Sequence, residues 1–169
     1  ESLGTDNASA WHLVNFLTFQ LGVYLLYCLS KRWMSTPAAL ASAALFAWQP
    51  LLWGHAFINP KDPPFLVFFL GAVCFGFEMI DSYSKGLKKS FVSALLAAFF
   101  LGIATSIRVL GPLAGLLVGI YALTRINKTD LVKLIAAYAM IAILVAFVSW
   151  PYLWTNPLQK FIEVFGFMS

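Results

Sequence analysis

Five side chains stand out for their chemistry: His55, Asn59, Lys61 and Asp62, gathered into one short stretch, and Arg108, the single charge between Lys89 and Arg125. Asp62 precedes Pro63 and Pro64, which suit the first turn of a helix and fix the backbone leading into it. That spacing predicts a carboxylate held at the positively polarised start of a helix. It can orient a reacting hydroxyl or serve only as an N-terminal cap, and both readings stand at this point. A guanidinium such as that of Arg108 stays charged in any environment and grips a phosphate with two hydrogen bonds. Its alternative is to snorkel to a membrane interface. Lys61 supplies a second cation for an anionic group, while His55 and Asn59 supply neutral hydrogen-bonding partners. No pair of these carboxylates and histidines has metal-ligand spacing, so no metal site and no cofactor are expected. Cys28 and Cys74 lie singly inside apolar runs, with no disulfide framework or CxxC site.

The setting of these residues is lipid. Of 169 residues, 61% are hydrophobic and 11% charged, and the mean hydropathy is +0.83. So few polar groups cannot cover a water-soluble globule, whereas a lipid-facing surface needs apolar ones. An all-α integral membrane protein follows. Each crossing takes about 20 mainly apolar residues, and the runs place about six spans at residues 11–30, 37–57, 65–80, 91–106, 109–123 and 134–150. Pro50 removes a backbone donor within the second and is expected to kink or end it. The run from Phe91 to Thr124 is too long for one crossing, and both its ends carry cations. A hairpin turning at residues 108–112 resolves this. Beyond Trp150, Tyr152 and Trp154, which suit headgroup level, Leu158, Phe161, Ile162 and Phe165 recur at helical spacing. An interfacial amphipathic helix is expected over residues 157–167.

Cations assign the sides. Lys31, Arg32, Lys85, Lys88, Lys89, Arg125, Lys128 and Lys133 fall on one set of connectors, and Lys61, Arg108 and Lys160 on the other. The eight-to-three split puts the first set in the cytoplasm. It sends residues 1–10, the 55–64 loop, the 108–112 turn and everything after Trp150 outside. The formal charge of +4 is thereby spent on topology, and no nucleic-acid partner is expected. His55, Asn59, Lys61, Asp62 and Arg108 all map to the external face, where a shared cleft is possible. Glu78 and Asp81 sit near Lys85 at the cytoplasmic end of the third span and read as a solvated helix end with an i,i+4 ion pair. Asp130 reads likewise.

Three segments together resemble bacterial relatives of the dolichyl-phosphate-mannose protein mannosyltransferases. They are Gly54-His55-Ala56-Phe57-Ile58-Asn59-Pro60-Lys61-Asp62-Pro63-Pro64-Phe65, Gly102-Ile103-Ala104-Thr105-Ser106-Ile107-Arg108-Val109-Leu110-Gly111 and Trp150-Pro151-Tyr152-Leu153-Trp154. The resemblance covers nearly the whole chain and implies a GT-C-type membrane domain, from its second span onward, as one partial domain over residues 1–169. It implies sugar transfer from a polyprenyl-phosphate donor to an acceptor hydroxyl on a protein, lipid or glycan, at the external face of a bacterial plasma membrane. In that family a catalytic aspartate of the first external loop deprotonates the acceptor, and a second acidic residue sits where a later external loop enters its helix. Asp62 resembles the second. Asp6, between Gly4-Thr5 and Asn7, does not resemble the first, so the main base is expected upstream of Glu1 in a longer chain. Two other classes fit the residues: a transporter or flippase for an anionic lipid-linked substrate, using Arg108 and broken helices, and a structural subunit of a larger membrane complex.

Overall fold

The computed structural model describes residues 7–87 and 89–168. Asp6 and Lys88 lie outside the described residues, as do the side chains of Leu158, Phe161 and Phe165. Eight α-helices follow one another, with no strand among the described residues. They are α1 (Asn7–Ser30), α2 (Thr36–Ala47), α3 (Pro50–Ile58), α4 (Asp62–Ser84), α5 (Lys89–Ile107), α6 (Pro112–Leu123), α7 (Lys128–Ser149) and α8 (Pro157–Met168), with a 3₁₀ turn at Pro151–Leu153 before the last.

Four helices, α1, α4, α5 and α7, are long and apolar enough to cross a membrane. The second and fifth sequence spans take a different form. Residues 37–57 divide into α2 and α3 because Pro50 cannot donate to the preceding turn, and α6 begins only at Pro112 because residues 108–111 form a turn. A helix of 12 residues, as α2 and α6 each are, reaches only about 18 Å, short of the roughly 30 Å hydrocarbon core. The apolar side chains exposed along these helices include Leu13, Val14 and Leu17 on α1, and Met140, Ile143, Leu144 and Val148 on α7. This is the inverse of a soluble surface, and it marks an integral membrane protein.

The chain forms two compact units, Glu1–Leu70 and Gly71–Ser169, with α4 running from one into the other. In the first, aromatic rings knit α1 to α2 and α3. Phe16 stacks on Phe57 at 5.0 Å and meets Trp53 edge-on at 5.7 Å, while Phe19, 1% exposed, stacks on Phe46 at 5.5 Å. Such pairs add about 0.5–1.5 kcal/mol beyond the area they bury.

In the second unit α5 packs closely against α7. A Cβ on Gly102 would lie 2.7 Å from the Ala142 carbonyl oxygen and 2.6 Å from Val145 Cβ. Only a hydrogen fits there, and the buried Ala98, Ala142 and Ala146 continue the small-residue seam. Across from them, the Tyr121 hydroxyl on α6 donates to Asp81 Oδ1 on α4 at 2.8 Å, with the Arg125 guanidinium 5.4 Å from the Tyr121 ring centre. Asp81 is therefore an inter-helix anchor as well as a residue of a helix end. Gly86, at φ 66°, closes α4: Leu87 N–H donates to the Ser82 carbonyl and Gly86 N–H to that of Tyr83.

After α7, Trp154 Nε1 donates to the Phe147 carbonyl at 2.8 Å. Glu163 of α8 accepts from Lys160 Nζ at 2.7 Å and from the Tyr152 hydroxyl at 3.0 Å. The Lys160 ammonium, followed by the Tyr152 hydroxyl, holds the Glu163 carboxyl below its ordinary range. The ion pair is intact at neutral pH and is lost as acid protonates Glu163.

Candidate functional site

The first cluster begins with the helix break. Gln49 caps α3, its Oε1 accepting from the N–H groups of Leu51 at 2.6 Å and Leu52 at 3.1 Å, so the chain restarts as a helix directly after Pro50. That short helix ends at Asn59, whose N–H still donates to the His55 carbonyl at 3.0 Å. Asn59 then organises everything up to α4. Its Oδ1 accepts from Lys61 N–H at 2.9 Å and from Asp62 N–H at 3.1 Å, the side-chain turn that asparagine favours. Its Nδ2 donates to Asp62 Oδ2 at 2.9 Å and lies 3.4 Å from His55 Nδ1.

Asn59 thereby takes part in the start of α4. Helix starts leave backbone donors unpaired, but Pro60, Pro63 and Pro64 have none, Lys61 and Asp62 give theirs to Asn59, and Phe65 N–H reaches the Lys61 carbonyl at 2.9 Å. Asn59 Oδ1 thus holds two of the backbone donors that lead into α4. Asp62 and Lys61 are exposed and His55 and Asn59 half-buried. Asn59 Nδ2 holds Asp62 Oδ2, one oxygen of this exposed carboxylate, at the start of α4.

Arg108 belongs to the second unit. Its N–H ends α5 by donating to the Ala104 carbonyl at 3.0 Å, and its own carbonyl accepts from Gly111 N–H at 2.9 Å. The turn 108–111 is therefore held by backbone, while the Arg108 side chain stands exposed at it. The nearby hydroxyls are taken, Thr105 by the Leu101 carbonyl and Ser106 by that of Ile103. Gly111 is what lets the turn close, since a Cβ there would sit 2.4 Å from Thr105 N. Backbone cannot give way as a flexible side chain does. Gly111→Ala is expected to cost about 1–3 kcal/mol, read as a fall in Tm. Gly119→Ala, at a helical glycine with open space around it, should be neutral or stabilising by up to about 1 kcal/mol. An unchanged Tm for the first variant would refute the close-approach argument.

The structure thus brings together His55, Asn59, Lys61 and Asp62 and sets Arg108 on its own turn. It also reveals two polar residues that sequence reasoning passed over. His12 Nδ1 lies 2.7 Å from the Phe57 carbonyl oxygen at the end of α3, and Asn15 is 6% exposed on the same face of α1. Their i,i+3 spacing was the only available signal, and nothing in it points to a partner 45 residues away.

The family model described as dolichyl-phosphate-mannose-protein mannosyltransferase matches residues 2–154. No curated protein and no solved structure matches the chain.

Proposed function

We propose a function from the family to which the chain belongs, the dolichyl-phosphate-mannose-protein mannosyltransferases: as a membrane glycosyltransferase it takes its sugar from a polyprenyl-phosphate donor and passes it to an acceptor hydroxyl at the external face. The acceptor oxygen attacks the anomeric carbon, and the bond from that carbon to the phosphate oxygen breaks with its electron pair leaving on the phosphate. The acceptor proton goes to a general base, a role for which Asp62 is not the candidate. Arg108 receives the phosphate, where a fixed cation offsets the charge that develops as the bond breaks. Asp62 and His55, aligned through Asn59, orient the acceptor or the donor hydroxyls. The α8 segment lies along the outer leaflet, beside lipid from which the hydrophobic donor arrives.

The observation that supports this reading most is the Asn59 turn. It fixes the Asp62 carboxylate at the start of α4, in a chain of sugar-transferring kin. The test is transfer by membranes carrying the native reading frame, with labelled polyprenyl-phosphate sugar as donor. Label is expected on the acceptor, with competition by unlabelled polyprenyl phosphate. Transfer from a nucleotide sugar, with none from the lipid donor, would overturn it. Cysteines placed at Lys61 should label in intact cells and those at Lys85 and Lys128 only after permeabilisation. Labelling of positions 61 and 85 from one side would refute the external placement.

A further inference from the structure

We propose that the cavity between the start of α1 and the end of α3 is a binding site for one neutral pyranose ring. The cavity measures about 230 Å³ and is lined by Trp11, His12, Asn15, Phe57, Ile58 and Pro60, all within the first compact unit. Drug-sized sites run to roughly 300–1,000 Å³, so this one suits a single ring rather than several.

Asn15 decides the chemistry. It is 6% exposed, it lines the cavity, and its amide makes no hydrogen bond among the described residues. The amide is thus left open to the cavity, where a ligand can hydrogen-bond to it. An isoprenoid or acyl chain offers no such bond, whereas a hydroxyl can both donate to the amide oxygen and accept from its nitrogen. His12 fits the same ligand. Because the Phe57 carbonyl can only accept, the 2.7 Å contact places the proton on His12 Nδ1, which leaves Nε2 of the neutral ring as an acceptor for a second hydroxyl. No carboxylate, lysine or arginine lines the cavity, which argues against a phosphate and for an uncharged polyol. The Trp11 ring, 63% exposed, offers an apolar face with a polar edge, the combination that a sugar's C–H face and hydroxyl rim require.

The site stands on this geometry; which ring it serves, that of the donor or that of a glycan acceptor, rests on the transferase reading. The probe is methyl α-D-mannopyranoside, titrated into the purified protein in nanodiscs and followed by calorimetry, with methyl α-D-glucopyranoside beside it and inorganic phosphate as control. Saturable pyranoside binding is expected, with none of phosphate. Asn15→Leu should weaken it about tenfold, the worth of one or two hydrogen bonds, without lowering Tm. Trp11→Ala, on an exposed ring, should weaken it at unchanged Tm. In the transfer assay, Asn15→Leu should raise KM for the donor or for the glycan acceptor, and either result supports the site while identifying its ring. Absence of pyranoside binding to wild type, or equal affinity in wild type and both variants, overturns the proposal. Because the titration needs no turnover, a protein that binds the pyranoside but transfers nothing would sink the transferase reading and leave the sugar site standing.

Discussion

Arg108→Ala is expected to lower kcat/KM for a polyprenyl-phosphate sugar by roughly 100-fold, with no loss of folded protein. The magnitude follows from what is removed: two charge-assisted hydrogen bonds, each worth about 1.5–3 kcal/mol net, less what a hydrated site recovers. The folding half of the expectation follows from the turn. Its bonds run from Arg108 N–H to Ala104 and from Gly111 N–H to the Arg108 carbonyl, and the side chain that is cut back is exposed. Arg108→Lys keeps the charge and loses the planar fork, so a loss nearer tenfold is expected. Donor competition by free polyprenyl phosphate should weaken in the same order, because it is the phosphate that the guanidinium grips. Snorkelling to the interface predicts another pattern. A membrane-centre arginine costs about 2.5–3.5 kcal/mol on insertion scales, and relief of that cost by alanine would leave donor use untouched. Equal donor binding by correctly folded wild type and Arg108→Ala would make Arg108 an interface anchor.

The turn that carries Arg108 was legible because its signals are local. The apolar run around it is too long for one helix crossing, and Gly111-Pro112 supplies a turn and a helix start. The break at Pro50 was legible for the same reason, a missing donor. Boundaries at polar ends were not. Hydropathy begins the last span at residue 134, yet α7 starts at Lys128, because a helix can run beyond lipid with its first turn in water. The third span closes at residue 80 by hydropathy, but α4 continues to Ser84, where Asp81 finds Tyr121 and Gly86 provides the left-handed stop. Within the candidate site, the sequence brought Asn59 and Asp62 close together but could not say that Asn59 Oδ1 holds the backbone donors of Lys61 and Asp62. That depends on side-chain direction, and two side chains three residues apart can exchange the role. The cavity of Asn15 was illegible altogether, because it exists only once α1 lies against α3.

Asp62→Asn should reduce sugar transfer by about 10- to 100-fold while leaving the fold intact, and the Asn59 turn is why the two effects separate. The backbone N–H groups of Lys61 and Asp62 are held by Asn59 Oδ1, and the side-chain oxygen of an asparagine at position 62 can still accept from Asn59 Nδ2. What disappears is the negative charge. For stability this forfeits a helix-dipole interaction of about 0.3–1 kcal/mol at an exposed helix start. For catalysis it removes the acceptor that orients a hydroxyl and polarises it towards attack, and positioned proton-accepting groups contribute about 10²–10⁴-fold; the lower part of that range suits a residue that supports a separate base. Asn59→Ala inverts the balance. It strips both backbone donors of their partner and should lower stability by about 0.5–2 kcal/mol, the cost of losing a cap, with transfer falling as well because the carboxylate is no longer aligned. Turnover per folded molecule, set beside Tm for each variant, distinguishes the roles. Unchanged turnover per folded Asp62→Asn molecule, with Tm reduced as far as in Asn59→Ala, would return Asp62 to a purely structural part in starting α4.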